Sequence, residues 1–419
     1  MTHSEIMLDY LDEGQIDEAM KEFAKALRKD NDATLFSLAE ELYSLGFLAQ
    51  SKRTYERLLE KYPEEDTLRT FLADIAISEG KSDEALNYLS EIDEDSDAYL
   101  QSLMVAADLY QTQGMFEVSE NKLLTAFRLA PDEEVIQFAL GELYFNTKQF
   151  SQAIGFYLEL IKAGQTELSQ VNLVQRLGVS YANSGQFEKA MAYLEQIHLE
   201  NMDSDTKLQM GLTYLQLNDQ QKAIDILYDL KEEDPSYTSL YPILGQALSN
   251  ENRLNDALLV YQEGLSVDEV NDTLYEQAAV VALKLDDEKQ AEKYLNKAID
   301  INPDNTGILL QLSNLLVKQE RDDEDVKLLE DIKSDGDVDP QIFWNLAISY
   351  ERLENYEKAE ENYLEAYPYF TNQSDFLRSV IFVFRENGRQ EELQDAIKHY
   401  LALVPDDQEI IDIQNDIND

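Results

Sequence analysis

Two columns of residues recur along this chain with a period close to 34, and they constrain the fold more than any other feature. The first column falls at Ala19, Ser51, Ala85, Ser119, Ala153, Ala190, Ala223, Ala257, Ala291, Asp325, Ala359 and Leu393, and eight of its eleven steps are 34 residues long. The second column lies four residues further on, at Phe23, Tyr55, Leu89, Leu123, Tyr157, Leu194, Leu227, Tyr261, Leu295, Leu329, Tyr363 and Ile397. Residues four apart share one face of a helix. In each repeat a large side chain therefore lies one helical turn from a residue that is small in most repeats. A single repeat cannot bury this apolar helix face by itself, so it needs a neighbouring repeat.

One period, Leu177 to Ile197, shows that the unit is a pair of helices. Gly178 and Tyr181 lie at helical spacing in the first helix, Gly185 interrupts the chain, and Ala190 belongs to the second helix. The turn between the two helices needs a left-handed helix cap, which favours glycine. Glycine occupies this position at Gly14, Gly46, Gly80, Gly114, Gly185 and Gly388, and asparagine occupies it at Asn218 and Asn252. Four repeats depart from this preference, with Lys148, Asp286, Glu320 and Glu354. Five second helices are predicted to end at Pro63, Pro131, Pro235, Pro303 and Pro405.

This pattern resembles the tetratricopeptide repeat. The Leu177-Gly178 pair with Tyr181, Ala190 and Leu194 is a close match, and twelve units cover essentially the whole chain. The resemblance implies an all-α fold of the bacterial cytosolic type, an α-solenoid in which helix-turn-helix hairpins form a right-handed superhelix.

The repeats predict one solenoid over residues 1–405, followed by a capping helix at 406–419. Ile410, Ile413 and Ile417 give that last segment an apolar face that could cover the final hairpin. Three extra residues near 164–169 predict a longer loop and a soft joint. Asp325 replaces the small residue of its unit, so looser packing is expected there.

The charge of the chain is strongly negative, with 85 acidic and 34 basic residues and a formal net charge of −51. Such a surface repels nucleic acid and anionic lipid, so neither is expected as a partner. We interpret the negative charge as a feature that keeps the protein soluble. The alternative interpretation is that the charge selects the binding partner. The chain has no cysteine, no apolar run long enough to span a bilayer and no secretory signal at its N-terminus, which favours the cytoplasm and argues against membrane insertion.

Catalytic and cofactor motifs are missing from the sequence. There is no phosphate-binding, dinucleotide-binding or nucleophile-elbow motif, and the three histidines, His3, His198 and His399, lack metal-ligand spacing. We therefore expect no enzyme, no cofactor and no metal.

A candidate partner-binding groove begins on the first helix of the second repeat, where Phe36, Glu40 and Tyr43 form a stripe beside the buried face. The matching positions of the next three repeats include Asp74, Met104, Asp108, Phe138, Glu142 and Phe145. Four consecutive repeats thus carry a carboxylate in the middle of the stripe. In proteins that the chain resembles, this stripe lines the concave side, where peptides commonly bind. The alternative is a solvated face. The groove hypothesis predicts that Glu142→Lys leaves folding intact.

The later repeats carry basic residues near the same position. Lys284, Lys318 and Arg352 recur at 34-residue steps, Arg378 and Arg385 lie on the stripe of the last unit, and Trp344 lies on the stripe before it. This suggests a groove that is acidic at its N-terminal end and basic at its C-terminal end. The alternatives are that cations in a last turn complement the helix dipole, and that Trp344 packs against the adjacent repeat.

The leading functional hypothesis is a non-catalytic scaffold or adaptor that binds a protein or peptide, basic or amphipathic in character, in this groove. One alternative is a peptide-sensing regulator, although the repeats begin by about residue 2 and leave no room for an N-terminal output domain. Another is a subunit of a larger enzyme or assembly complex. The sequence leaves the oligomeric state open.

Overall fold

The computed structural model describes residues 1–330 and 338–418, and antiparallel helical hairpins build most of this part of the chain. The two helices of each hairpin pack on each other, and consecutive hairpins stack within a unit. The chain divides into two compact units, Met1–Met202 and Asp203–Asp419. Within each unit the architecture is an all-α solenoid, as the repeats predict.

The first unit contains six hairpins and a small β-hairpin. Its helices are α1 (His3–Asp12), α2 (Ile16–Lys29), α3 (Asp32–Ser44), α4 (Leu48–Lys61), α5 (Asp66–Ser78), α6 (Ser82–Ser90), α7 (Tyr99–Thr112), α8 (Phe116–Leu129), α9 (Glu134–Asn146), α10 (Phe150–Lys162), α11 (Leu173–Asn183) and α12 (Phe187–Leu194). Strands β1 (Glu167–Leu168) and β2 (Val171–Asn172) pair antiparallel between α10 and α11, and a 3-10 turn spans Leu199–Asn201.

The second unit also contains six hairpins, and a final helix follows them. Its helices are α13 (Ser204–Gln216), α14 (Gln220–Glu233), α15 (Leu240–Asn250), α16 (Leu254–Val267), α17 (Asp272–Lys284), α18 (Glu288–Ile301), α19 (Thr306–Lys318), α20 (Asp322–Glu330), α21 (Pro340–Arg352), α22 (Tyr356–Ala366), α23 (Ser374–Glu386), α24 (Gln390–Leu403) and α25 (Gln408–Asn418). A 3-10 turn spans Tyr367–Tyr369.

The turn inside each hairpin has the left-handed backbone that the repeats predict. After α11, Gly185 has a φ of 76° and donates its N–H to the Ala182 carbonyl, while the next N–H reaches back to Tyr181. These two bonds satisfy the last carbonyls of the helix, as in a Schellman cap. The same positive φ occurs at Gly14, Gly46, Gly80, Gly114, Lys148, Asn218, Asn252, Asp286, Glu320, Glu354 and Gly388. The predicted turn positions are therefore confirmed, including those without glycine.

Close approach of two helices explains the small column. Every member of the first sequence column is buried, and all members of the second are buried except Leu89, which is half-buried. The first helices use glycine where the large residue leaves no room: a Cβ atom on Gly178 would lie 2.6 Å from Leu194 Cδ2, and one on Gly245 would lie 2.2 Å from Tyr261 Cε1. Neither distance is compatible with van der Waals packing.

Asp325 occupies the small column with a polar network around it. Its side chain is fully buried on α20, and its Oδ2 accepts a hydrogen bond from Ser349 Oγ on α21 at 2.7 Å. On α19, Ser313 accepts from Asn345 at 2.8 Å, while Asp325 Oδ1 has no partner in the described structure. Burial raises the pKa of Asp325 above its ordinary value. Asp325 is thus buried and partly hydrogen-bonded, and looser packing around it stays a prediction.

The C-terminal helix and the extra loop lie where the sequence places them. Helix α25 buries Ile410 and Ile413 against the last hairpin, and Ile417 packs beside them; residue 419 of the predicted cap lies outside the described residues. The three extra residues produce the β-hairpin, whose tip residues Ser169 and Gln170 both have positive φ, as two-residue type I′ turns require. A single solenoid with a joint at 164–169 remains a prediction.

The burial of Ala190 gives a direct test of the register. Ala190→Glu places a carboxylate between two packed helices without a counter-charge, and we expect it to lower the free energy of unfolding by about 3 kcal/mol or more. Ala192→Glu is the matched control, because Ala192 lies on the exposed face of the same helix. Urea denaturation followed by circular dichroism measures both. Equal stability of the two variants would contradict the register.

The raised pKa of Asp325 predicts a pH dependence. The unfolded chain loses this proton near 3.8, before the folded chain does, so wild-type stability falls as pH rises from there through the folded pKa. The Asp325→Asn variant has no ionisable group at this position, so its free energy of unfolding does not fall for this reason. We expect its stability relative to wild type to increase as the pH rises above about 4, measured by urea titrations at a series of pH values. Asp323→Asn, at an exposed neighbour, should show no such trend; a parallel trend would refute the assignment.

Candidate protein-interaction surface

The acidic stripe lies beside the helix-packing column of the first unit. The four carboxylates each follow directly after a small, buried residue of a first helix: Glu40 after Ala39 on α3, Asp74 after Ala73 on α5, Asp108 after Ala107 on α7 and Glu142 after Gly141 on α9. One residue is a rotation of about 100° around a helix, so these carboxylates flank the buried face. Glu40 and Asp108 are exposed, whereas Asp74 and Glu142 are half-buried.

Three of the four carboxylates have no cation to neutralise them. Among the described residues, Glu40, Asp74 and Asp108 form no ion pair. Partial burial of its carboxyl group, together with the charge of Asp74, raises the pKa of Asp108. Burial and a hydrogen bond to Asp74 also raise the pKa of Tyr43, whose hydroxyl lies 3.4 Å from Ser78 Oγ. Consecutive hairpins therefore hold like charges near one another.

Glu142 differs, because its carboxylate is bound within the protein. Tyr157 Oη donates to it at 2.5 Å, and Arg176 donates through Nε at 3.1 Å and through Nη2 at 3.2 Å. The Arg176 guanidinium also lies 4.4 Å from the centre of the Phe145 ring. Burial and the Glu142 charge raise the pKa of Tyr157. Glu142 and Phe145 thus join α9 to α11 through Arg176.

Arg176 was not among the residues predicted for the site. The stripe positions lie three residues before, one after and four after the small residue of a first helix, whereas Arg176 lies two residues before Gly178. Its distance of 34 residues from Glu142 was the signal that could have revealed the pair.

The apolar members of the stripe are packing residues. The Phe36 ring lies 5.8 Å from the Tyr55 ring and 5.6 Å from the Phe71 ring, both at steep angles. Met104 and Phe138 are half-buried against the core of the middle hairpins. These side chains offer partial apolar surface while they hold neighbouring hairpins together.

The basic positions of the later repeats bind groups of the preceding hairpin. The contacts are Lys284 Nζ to Ser249 Oγ at 3.3 Å, Lys318 Nζ to Glu288 Oε1 at 2.6 Å, and Arg352 Nη1 to the Val317 carbonyl at 2.7 Å. All three cations lie in the last turn of their helices, where the helix dipole also favours them. Lys284, Lys318 and Arg352 therefore each contact another group of the protein, and none of these three cations is without an internal partner.

The last two basic positions and the tryptophan are also engaged. Arg378 Nη2 donates to Glu409 at 2.5 Å and Arg385 lies 3.8 Å from Asp416, so both contact α25. The Trp344 ring lies 4.9 Å from the Phe370 ring and 5.2 Å from the Phe376 ring. Packing against the adjacent repeat therefore accounts for Trp344.

Residues 1–330 and 338–418 contain neither a metal-binding cluster nor a membrane-spanning helix. No group of three or more acidic or histidine side chains there is arranged to hold a metal ion. None of the described helices combines the length and the apolar character that crossing a bilayer needs.

Family models and curated relatives match most of the chain. Models of YpiA-like tetratricopeptide repeats match residues 111–165 and, for the C-terminal repeats, 340–407. General tetratricopeptide repeat models match residues 171–197, 205–237 and 273–305. The repeat-containing protein YpiA of Bacillus subtilis is 35% identical over 390 residues, which cover 93% of this chain and 92% of that protein. A repeat-containing protein of Methanocaldococcus jannaschii is 22% identical over 94% of this chain and 62% of its own length.

Two solved structures also align with this chain at low sequence identity. YrrB, described as a tetratricopeptide protein with an unusual peptide-binding site, aligns with a TM-score of 0.38 and 20% identity over 45% of this chain and 95% of that chain. The Cut9 and Hcn1 assembly of the APC/C aligns with a TM-score of 0.40 and 13% identity over 99% of this chain and 95% of that chain.

The contacts of Glu142 change the expectation for its replacement. Glu142→Ala and Arg176→Ala should each destabilise the protein, and their double-mutant cycle should give a coupling energy of about 1–2 kcal/mol, because the pair is only partly exposed. The Glu159–Lys162 pair is the control, with both side chains mostly exposed. Its coupling should stay below about 0.5 kcal/mol. Equal coupling in the two cycles would show that Glu142 is not structural.

Proposed function

The chain belongs to the YpiA-like family of tetratricopeptide repeat proteins, and on that premise we propose that it is a non-catalytic interaction scaffold. Its partner is a basic or amphipathic segment of another protein, bound along the first helices of the first unit. The proposal keeps the cytoplasmic setting that the sequence favours, and it involves neither nucleic acid nor insertion into a membrane.

The observation that carries the proposal is the row of unneutralised carboxylates at Glu40, Asp74 and Asp108. Holding like charges on adjacent hairpins is unfavourable, and the charge of Asp74 adds to the burial that raises the pKa of Asp108. A partner that brings lysine or arginine side chains relieves this repulsion and gains charge-assisted hydrogen bonds. The half-buried side chains of Tyr43 and Met104 lie at flanking stripe positions and offer apolar contact.

The proposed site is shorter than the full stripe. Glu142 and Phe145 are engaged by Arg176, so their surfaces are not open to a ligand without breaking that contact. The basic positions from Lys284 to Arg385 likewise bind groups of the second unit itself. We therefore assign recognition to α3, α5 and α7, and we assign structural roles to the candidate residues outside these three helices.

The test compares a triple variant, Glu40→Gln/Asp74→Asn/Asp108→Asn, with wild type. An array of basic amphipathic peptides identifies the tightest ligand of the wild-type protein, and its Kd is then measured by fluorescence anisotropy. We expect at least a tenfold weaker Kd for the variant, about 1.4 kcal/mol, because three ion pairs are removed.

The control carries the same change of charge at other exposed carboxylates of the first unit, Glu41→Gln/Glu64→Gln/Asp132→Asn. Its Kd should stay within about twofold of wild type. If both variants bind the peptide equally weakly, the effect comes from the overall charge alone. If neither variant changes the Kd, the binding site does not lie on α3, α5 and α7.

A further inference from the structure

Three arginines of the first unit lack the partners that the other arginines have. The chain contains twelve arginines, all within the described residues. Eight of them form ion pairs, and Arg128 bonds to Thr125 and to a backbone carbonyl. Within the part of the chain that the structure describes, Arg28, Arg53 and Arg57 form neither an ion pair nor a hydrogen bond. In a chain with a net charge of −51, cations left without carboxylate partners call for an explanation.

The three arginines line one cleft between α2 and α4, the second helices of the first two hairpins. A cavity of about 350 Å³ there is lined by Arg28, Arg53 and Arg57, with Leu27 and the carboxylates of Glu56 and Glu60. A second cavity of about 500 Å³ shares Leu27, Arg28, Arg57 and Glu60, so the cleft continues along the helices. This cavity also contains the carboxylates of Asp30, which Ser4 binds, and Asp32, which Lys61 and Tyr62 bind. This surface belongs to the second helices, whereas the acidic stripe belongs to the first helices.

A second cleft between second helices provides a comparison, because its arginine is paired with carboxylates. Between α18 and α20, Arg321 lies in a cavity of about 390 Å³, but it pairs with Glu292 at 2.8 Å and with Glu324 at 2.6 Å. In the α2–α4 cleft, Glu56 and Glu60 lie beside the arginines without pairing to them. Lys61 and Tyr62 lower the pKa of Asp32, and the charge of Arg57 adds to that effect. Among the described residues the three guanidinium groups nevertheless form no hydrogen bond, so their donors can bind an external acceptor.

We propose that the α2–α4 cleft binds a short acidic peptide segment in an extended conformation. Arg53 and Arg57 are one turn apart on α4, a rise of about 6 Å along the helix axis. Alternate side chains of an extended strand point to the same side and are about 6.6–6.8 Å apart. Two carboxylates separated by one residue can therefore pair with both arginines, and Arg28 on α2 can bind a third acceptor from the opposite wall.

The composition of the cleft favours a peptide over a polyphosphate. Glu56 and Glu60 repel a dense anion, whereas they can accept hydrogen bonds from peptide N–H groups. Leu27 and Ala24 give the cleft an apolar contact for the residue between two carboxylates. At physiological ionic strength charges are screened beyond about 8 Å, so the local arginines, rather than the distant acidic surface, govern a short ligand.

The experiment uses the full chain and a fluorescein-labelled peptide of sequence Gly-Glu-Val-Glu-Val-Glu-Gly, with its Gln-for-Glu counterpart as the ligand control. Anisotropy should show binding of the acidic peptide and at least a tenfold weaker Kd for Arg53→Gln/Arg57→Gln. Both arginines are exposed, so the variant should retain its circular dichroism spectrum and its unfolding midpoint. The protein control, Arg128→Gln/Lys162→Gln, removes two exposed charges from the same unit and should stay within twofold of wild type.

Three results would overturn the proposal: no binding of the acidic peptide, equal weakening by the two variants, or equal binding of the Gln peptide. Displacement of the acidic peptide by inorganic phosphate at the same concentration as by unlabelled peptide would identify a general anion site and would also overturn it. The variant with Glu40, Asp74 and Asp108 neutralised should bind the acidic peptide at least as tightly as wild type. The proposals for the two surfaces therefore succeed or fail separately.

Discussion

Contact between a small residue on the first helix of a hairpin and a large residue on the second is the interaction on which the rest of the structure depends. At Gly245 even a methyl group would overlap the Tyr261 ring, because the close approach of the helices leaves only 2.2 Å between a Cβ atom and the ring. That approach buries the large column, sets the distance between the two helices, and leaves an apolar face for the next hairpin. Glycine or alanine at one position and an aromatic or leucine at another thus determine each repeat.

The same contact decides which residues can reach a partner. Ala39, Ala73 and Ala107 of the first helices are buried in that interface, so the residue after each of them must lie at its edge. Glu40, Asp74 and Asp108 are found there. The exposed side of the second helices faces away from that interface, and there Arg28, Arg53 and Arg57 lie together. The two helices of a hairpin therefore give two different surfaces, one with a row of carboxylates and one with three arginines.

The repeat made the fold predictable, and even turns without glycine, such as those at Lys148 and Glu354, have the expected positive φ. The site was less predictable, because a sequence shows where a charged residue lies along a helix but not whether another side chain binds it. Glu142 and Asp108 occupy the same position of their repeats, yet only Glu142 meets an arginine. Arg28, Arg53 and Arg57 could not be predicted from the sequence either, because a cation is known to lack a partner only when its spatial neighbours are known.

The β-hairpin between α10 and α11 has a practical consequence that concerns neither surface. Its tip residues, Ser169 and Gln170, are exposed and extend from a loop that the other repeats do not need. The chain has no cysteine, so a single thiol introduced at Ser169 would be unique in the molecule. A spectroscopic label attached there would report on tumbling and on distances to a bound partner, while every repeat keeps its own side chains.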